Sequence, residues 1–134
     1  MNLLLDTHIA LWALSNDPRL SAKARKMLLD PGNTFYVSAV SVWEVLLKHS
    51  KNPINLEISA TEFSQYCQAA GFHTLALTDE HIWAVETLQR SADAKAHNDP
   101  FDRLLLAQAK AEHYFFLTHD SLIPGYEESC VIYV

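Results

Sequence analysis

Residues 3–14 read LLLDTHIALWAL, and this stretch decides the fold class. Leu3-Leu4-Leu5 is a short, uninterrupted apolar run, as expected of a strand buried on both faces of a parallel sheet. Asp6 ends the run. Apolar residues then recur at helical spacing, at Ile9, Leu11, Trp12 and Leu14. A buried strand that leads directly into a helix predicts the first unit of an α/β fold.

The same alternation of strand and helix is predicted along the rest of the chain. We expect further helices over residues 22–29, 38–50, 59–70, 78–90 and 100–112. We expect further strands over residues 34–37, 73–77, 114–118 and 131–134. Residues 91–98 are polar and irregular. This order predicts a three-layer α/β/α sandwich with a central parallel sheet and right-handed crossovers.

Size and composition are those of one compact domain. The chain has 134 residues, of which 49% are hydrophobic and only three are glycine, so we expect a single domain over residues 1–134. No apolar run is long enough to predict a membrane span, and the N-terminus lacks the basic leader of a signal peptide. Cys67 and Cys130 match no metal or redox spacing, which predicts reduced thiols and a cytoplasmic location.

The formal net charge of −6 bears on possible partners. Taken alone, it argues against a nonspecific nucleic-acid binder, because such proteins are usually basic. The objection weakens if several of the acids share one metal site, since a bound divalent ion inverts the local charge.

The acidic residues fall where such a site would form. Asp6 directly follows the first strand, and Asp120 follows the strand that ends at Thr118. Glu44 lies on the second turn of the helix after the second strand, and Asp102 begins the helix that leads into residues 114–118. Ligands of parallel sheets bind beyond the carboxyl ends of the strands. We therefore expect these four acids to converge at one crevice.

Clustered carboxylates predict a particular chemistry. They repel one another and raise each other's pKa values, and oxygen-rich sites of this kind suit Mg²⁺ or Mn²⁺. Such ions bind phosphate oxygens and activate water for in-line displacement at phosphorus. The sequence thus predicts metal-assisted phosphodiester hydrolysis.

Each acid also has a purely structural alternative. Asp6 could be only the N-cap of the first helix. Glu44 closes the pattern Ser41-Val42-Trp43-Glu44, which fits a capping box, although a helix that starts near Ser38 would place Glu44 inside it. Asp120 could simply shape the turn that follows the strand.

Residues 97–103 read HNDPFDR and contain two acids with different expected roles. Asp99 precedes Pro100, and proline is favoured at the first helical position, so Asp99 is the predicted N-cap. Asp102 would then point from the first turn without a capping bond, although the helix dipole alone also favours an acid there. Asp102 is therefore the better candidate ligand, and Arg103 is a candidate to contact phosphate or to pair with an acid.

The remaining polar residues give weaker signals. The histidines form no zinc-type pair at i, i+4, although His8 and His119 could lie near the acids. Basic side chains that could follow an RNA backbone, or be merely solvated, are Lys23, Arg25, Lys26, Lys48, Lys51 and Arg103.

Five segments in order resemble PIN-domain proteins, and in particular the VapC-like toxin ribonucleases of type II toxin–antitoxin systems. These segments are LLLDTHIALWAL, DPRLS, VSAVSVWEV, HNDPFDRLLLAQAKAE and FLTHD. The resemblance covers nearly the whole chain. It implies an α/β/α fold, a Mg²⁺- or Mn²⁺-dependent endoribonuclease, a homodimer, and a small antitoxin partner that covers the acidic groove.

The resemblance also assigns roles to residues. It places the four family acids on Asp6, Glu44, Asp102 and Asp120, as catalytic residues and metal ligands. Asp99 belongs to an Asp-Pro-Phe-Asp variant of the third motif and is a candidate additional ligand. Arg103 and Lys48 are the candidate substrate-binding residues.

Two rival functions remain open at this point. One is a metal-dependent DNA nuclease or phosphatase on a similar sheet, which a comparison of substrates would separate. The other is a non-catalytic PIN-like binding module whose acids are structural, which a metal titration would separate.

Overall fold

Five strands build one sheet in the computed structural model, which describes residues 1–134. They are β1 (Asn2–Leu5), β2 (Thr34–Ser38), β3 (His73–Leu75), β4 (Phe115–Thr118) and β5 (Val131–Tyr133). Their order across the sheet is β3-β2-β1-β4-β5, and every neighbouring pair is parallel. The apolar run that was predicted to be buried on both faces is therefore the central strand.

Six helices cover the two faces of the sheet. They are α1 (Thr7–Ser15), α2 (Ala22–Leu29), α3 (Ala39–Lys51), α4 (Ala60–Ala69), α5 (Asp79–Val85) and α6 (Pro100–Glu112). Leu3 and Leu5 pack into one core with residues of α1, α2, α3 and α4, whereas Leu4 packs into a second core with α6. This alternation confirms the predicted three-layer α/β/α sandwich. None of these helices combines the length and the apolar character needed to cross a bilayer.

The prediction of a helix over residues 78–90 is wrong in its extent. The helix ends at Val85, and Arg90 instead pairs with Tyr126 in an isolated antiparallel bridge. Backbone hydrogen bonds flank this bridge on both sides. A contact distant in sequence therefore overrides the local helical pattern.

Other boundaries shift by one or two residues. The helix predicted over residues 38–50 runs over Ala39–Lys51, and the strand predicted over residues 73–77 ends at Leu75. Leu75 pairs with Ser38, where β2 gives way to α3, so the edge strand has no partner beyond it. The thiols of Cys67 and Cys130 are both free, as predicted.

A buried polar network around His81 connects α5, α6 and β2. His81 is 1% exposed, and its Nε2 lies 2.7 Å from a carboxylate oxygen of Glu112. Its Nδ1 lies 3.1 Å from the backbone nitrogen of Thr78 and 3.3 Å from the side-chain amide of Gln108. Gln108 in turn accepts a hydrogen bond from Ser38. A neutral imidazole that donates from Nε2 and accepts at Nδ1 satisfies this arrangement.

We expect His81→Ala to lower the free energy of unfolding by about 2–4 kcal/mol, because it leaves buried polar partners unsatisfied and opens a cavity. Urea denaturation followed by circular dichroism measures this change. Glu86→Ala, at an exposed position just after α5, is the matched control and should stay within about 0.5 kcal/mol of the parent. Equal midpoints for both variants would contradict a stabilising role for the network.

Candidate active site

The carboxyl ends of β1 and β4 bring two of the predicted acids together. Leu5 pairs with Leu117 in the parallel register, and the backbone N–H of Asp6 donates to the carbonyl of Leu117 (3.0 Å). Asp120 follows β4 by two residues. Asp6 is 3% exposed, whereas Asp120 is half-buried.

Thr118 links these two acids through its hydroxyl group. The hydroxyl donates to Oδ2 of Asp6 at 2.6 Å and accepts from the backbone N–H of Asp120 at 3.1 Å. The Asp6 side chain makes no capping hydrogen bond, although the residue occupies the N-cap position of α1. The structural alternative for Asp6, a helix cap, is therefore wrong. For Asp120 the alternative holds in part, since its Oδ1 accepts from the backbone N–H of Leu122 (2.9 Å) and shapes the turn.

Glu44 lies inside α3, so the capping-box alternative for this residue is also wrong. The N-cap of α3 is Ser38, whose hydroxyl accepts from the backbone N–H of Val40 at 2.9 Å. Glu44 is 3% exposed, and its Oε2 lies 2.7 Å from Nζ of Lys48. Lys48, a candidate substrate-binding residue, thus holds a buried carboxylate of the acid cluster.

The two acids of HNDPFDR lie where the sequence predicts: Asp99 is the N-cap of α6, and Asp102 lies in its first turn. Oδ1 of Asp99 accepts from the backbone N–H groups of Phe101 (2.9 Å) and Asp102 (3.1 Å), with Pro100 at the first helical position. Asp99 is exposed, whereas Asp102 is only 8% exposed. Asp99 begins the helix, and that beginning places Asp102 at the buried end of the crevice.

Burial and mutual repulsion change the acidity of the cluster. Burial raises the pKa of Asp6 to about 6, against the opposing hydrogen bond from Thr118, and the nearby charges of Glu44 and Asp120 raise it further. Burial also raises the pKa of Asp102 to about 9, together with the charges of Asp6, Asp99 and Asp120. The four predicted acids are therefore close enough to act on one another electrostatically.

Several buried atoms of this crevice have no hydrogen-bond partner. They are Oδ1 of Asp6, Oε1 of Glu44 and Nε2 of His97. A buried carboxylate oxygen without a partner costs free energy unless something else neutralises it. A divalent cation would satisfy these oxygens, and carboxylates are the ligands that Mg²⁺ and Mn²⁺ prefer. The donor set thus fits the metal that the sequence predicts.

His97 is a residue of this site that the sequence interpretation missed. Its Nε2 lies 3.5 Å from Oδ2 of Asp102, and one ligand atom from each of His97, Asp102 and Asp120 lies within 4.8 Å of the other two. Burial lowers the pKa of His97 and so favours its neutral form. A search for histidine pairs on helices overlooks His97 because it precedes the helix. Its place two residues before the cap Asp99 is the signal that could have found it.

The basic candidates are mostly engaged elsewhere. Arg103 lies near Tyr126: burial raises the pKa of the Tyr126 hydroxyl group, and the positive charge of Arg103 opposes that rise. Nζ of Lys23 donates to the carbonyl of Tyr133 (3.0 Å), and the Arg25 guanidinium donates to three acceptors around the α1–α2 connection. These contacts leave Lys23 and Arg25 as structural residues.

A cleft of about 830 Å³ adjoins the acids, between α1 and the segment that joins α3 to α4. Basic and aromatic side chains share its lining with apolar ones. Among the residues that line it are His8, Trp12, Arg19, Lys48, Lys51, Ile54 and Tyr66. None of the four acids lines the cleft, but Lys48 does, and its ammonium group pairs with Glu44 of the acid cluster.

Comparison with known proteins gives one family and several structures. The family model described as PIN domain matches residues 3–125 of this chain. A comparison with curated proteins gives no significant match.

Three solved structures share the fold at low sequence identity. The VapBC2 complex of Rickettsia felis, bound to a DNA fragment from its promoter, gives a TM-score of 0.67 at 15% identity over 100% of this chain and 98% of that one. A toxin–antitoxin complex from Klebsiella pneumoniae gives a TM-score of 0.60 at 16% identity over 97% of this chain and 95% of that one. VapBC-1 from nontypeable Haemophilus influenzae gives a TM-score of 0.54 at 15% identity over 90% of this chain and 87% of that one.

Proposed function

The chain belongs to the PIN-domain family, and from this premise we propose that it is a divalent-metal-dependent endoribonuclease and the toxin of a type II toxin–antitoxin pair. The proposal rests on one observation: Asp6 and Glu44 each have a buried carboxylate oxygen without a hydrogen-bond partner, and the nearby Asp102 has a raised pKa. Such a cluster is unfavourable without a cation, and its place beyond the strand ends is where α/β sheets bind ligands.

The proposed roles follow from burial and position. Asp6 and Asp102 are the acids whose pKa values are raised by burial, and they would hold the principal Mg²⁺ or Mn²⁺, directly or through water. Glu44 and Asp120 would complete the pocket, hold a second ion or orient the attacking water, and Asp99 would act as the helix cap. A bound divalent ion would stabilise charge on the scissile phosphate and lower the pKa of a water molecule. The buried walls of the crevice strengthen every such interaction by excluding solvent.

The cleft beside the acids is the proposed path of the RNA. Arg19, Lys48 and Lys51 line it and could contact phosphates, and Trp12 and Tyr66 offer aromatic faces for unpaired bases. Lys48 serves two purposes in this proposal, since its charge also faces Glu44. Arg103 would act through Tyr126 and not at the substrate.

The proposed partner is a small antitoxin that covers the cleft and silences the nuclease. The similar folds of VapBC complexes support this partner. Large side chains left exposed in the lining of the cleft, Ile54 (85%) and Tyr66 (52%), also support it. We also propose a cytoplasmic homodimer of one-domain chains. Light scattering of the purified protein measures the oligomeric state.

A comparison of substrates tests the proposed activity. The purified protein should cleave single-stranded RNA in the presence of Mn²⁺, and an excess of EDTA should abolish the cleavage. Single-stranded DNA of the same sequence and a phosphomonoester should react far more slowly. Faster cleavage of DNA or of the phosphomonoester would favour the nuclease or phosphatase alternatives, and no cleavage of any substrate would favour a binding module.

Thr118 is the expected positioning residue of this site, because its hydroxyl group links Asp6 to the backbone of Asp120. We expect Thr118→Val to lower both the Mn²⁺ affinity and the rate of RNA cleavage by about 10-fold or more, as for other residues that orient metal ligands. Thr118→Ser keeps the hydroxyl group and should recover most of both. Calorimetric titration and single-turnover cleavage measure the two effects. Identical behaviour of the Val and Ser variants would contradict this role.

A further inference from the structure

His97 is held rigidly at the edge of the acid cluster. It is 6% exposed, and its Nδ1 lies 2.7 Å from the hydroxyl oxygen of Tyr126, with the two rings perpendicular. Arg90 stacks over the ring of Tyr126 at 4.8 Å and donates to the carbonyls of Lys95 (2.7 Å) and Leu122 (2.8 Å). These contacts anchor the loop that carries His97. The imidazole therefore has a fixed orientation without any contribution from a metal.

The second ring nitrogen points into the acid cluster. Nε2 of His97 is buried without a hydrogen-bond partner, and Oδ2 of Asp102 is 3.5 Å away. When Nδ1–H donates to Tyr126, Nε2 carries a free lone pair. Histidines that ligate metals have this arrangement, in which the far nitrogen is fixed by a hydrogen bond.

We propose that His97 is a nitrogen ligand of the divalent ion, together with Asp102 and Asp120, which deepens the proposed nuclease function and rests on it. Ligand atoms about 2.1 Å from one ion lie about 3–4.2 Å from each other. The separation of 3.5 Å between Nε2 and the Asp102 oxygen falls in this range. The same separation is longer than an ordinary hydrogen bond, so it does not suit an imidazole that donates to this carboxylate.

A nitrogen ligand has a consequence for the choice of metal. Mg²⁺ is a hard cation that takes oxygen ligands, whereas imidazole suits transition-metal ions. His97 would therefore favour Mn²⁺ over Mg²⁺ at a site whose other ligands, being carboxylates, accept both ions. Asp102, Asp120 and His97 together form a mixed oxygen–nitrogen site.

Pulsed electron paramagnetic resonance of the Mn²⁺-loaded protein tests this assignment directly. We expect modulation from a directly bonded ¹⁴N nucleus in the parent and its loss in His97→Gln. The same substitution should weaken Mn²⁺ binding about 10-fold and change Mg²⁺ binding much less, as measured by competition. His8→Gln, which removes an imidazole from the lining of the cleft, is the matched control and should keep the nitrogen signal.

The outcomes separate this inference from the proposed function. If the parent binds Mn²⁺ without a ¹⁴N signal, or if His97→Gln keeps the signal, the ligand assignment is overturned while the metal site stands. If the parent binds no Mn²⁺, both are overturned. The spectrum of the parent needs no variant, so a His97→Gln protein that fails to fold does not prevent the test.

Discussion

Asp102→Asn is expected to reduce single-turnover cleavage of RNA by at least about 100-fold with Mn²⁺ present. The carboxylate of Asp102 is buried near Asp6, Asp99 and Asp120, and the substitution removes its charge from the proposed metal site. Asparagine has nearly the same shape, so the fold should persist. Asp6→Asn should have a similar effect, because it removes the charge next to Thr118.

Asp99→Asn is the matched control for this experiment. It makes the same carboxylate-to-amide change three residues earlier in the chain, and asparagine is as good an N-cap as aspartate. If Asp99 only caps the helix, cleavage should stay within about threefold of the parent, since the cap is preserved. A large loss of metal binding with an intact fold would instead make Asp99 a ligand. Asp102→Asn that cleaves as fast as the parent would show that the site is assigned wrongly.

The second large effect concerns the stability of the metal-free protein, which we expect to fall as the pH rises. The pKa values of Asp6 and Asp102 are raised from 3.8 to about 6 and about 9 in the folded protein. Between these values and the unfolded pKa, the native state binds more protons than the unfolded state. The free energy of unfolding therefore decreases with pH. This stability is present below about pH 4 and is lost as the pH passes through the folded pKa of each group.

This change in the free energy of unfolding with pH is large enough to measure. The shift of Asp6 alone corresponds to about 3 kcal/mol, at about 1.4 kcal/mol for each pKa unit. Asparagine resembles a protonated aspartate, so Asp102→Asn should match the parent at pH 4 and exceed its stability at pH 8.5. Urea denaturation in EDTA at the two pH values measures this difference. A parent that loses no more stability between pH 4 and pH 8.5 than Asp102→Asn does would contradict the raised pKa of Asp102.

Metal binding should offset the loss of stability that the ionised carboxylates cause in the metal-free protein. Mn²⁺ binds the folded cluster and not the unfolded chain, so it should raise the melting temperature of the parent more than that of Asp6→Asn. Differential scanning calorimetry at fixed metal concentration and pH provides the comparison. Equal shifts for the two proteins would count against a shared metal site.

Local sequence signals predicted the parts of the molecule that depend on local structure. The apolar run before Asp6 became the central strand, and the Asp99-Pro100 pair began α6 as a capped helix. Asp6 and Asp120 follow neighbouring strands because parallel strands end at one edge of the sheet. These features need only the pattern of residues and the geometry of a parallel sheet.

The parts that the sequence could not predict depend on contacts between distant segments. The helix over residues 78–90 stops early because Arg90 pairs with Tyr126 across 36 positions of the chain. Tyr126 also positions His97, and the contact of His97 with Asp120 joins segments that are distant in the sequence. The sequence makes Lys48 a candidate substrate-binding residue, but in the structure its ammonium group pairs with the buried Glu44 on the same helix.

Calorimetric titration of the metal-free protein with Mn²⁺ near pH 7, repeated in buffers of different ionisation enthalpy, tests the central claim most directly. The acid cluster should bind Mn²⁺ saturably and release protons, because Asp102 has a pKa of about 9 and must lose its proton to bind a cation. Asp6→Asn and Asp102→Asn should each weaken the binding, and Asp102→Asn should also diminish the proton release. No saturable binding, or binding that is identical in the parent and in both variants, would contradict a catalytic metal centre formed by these acids.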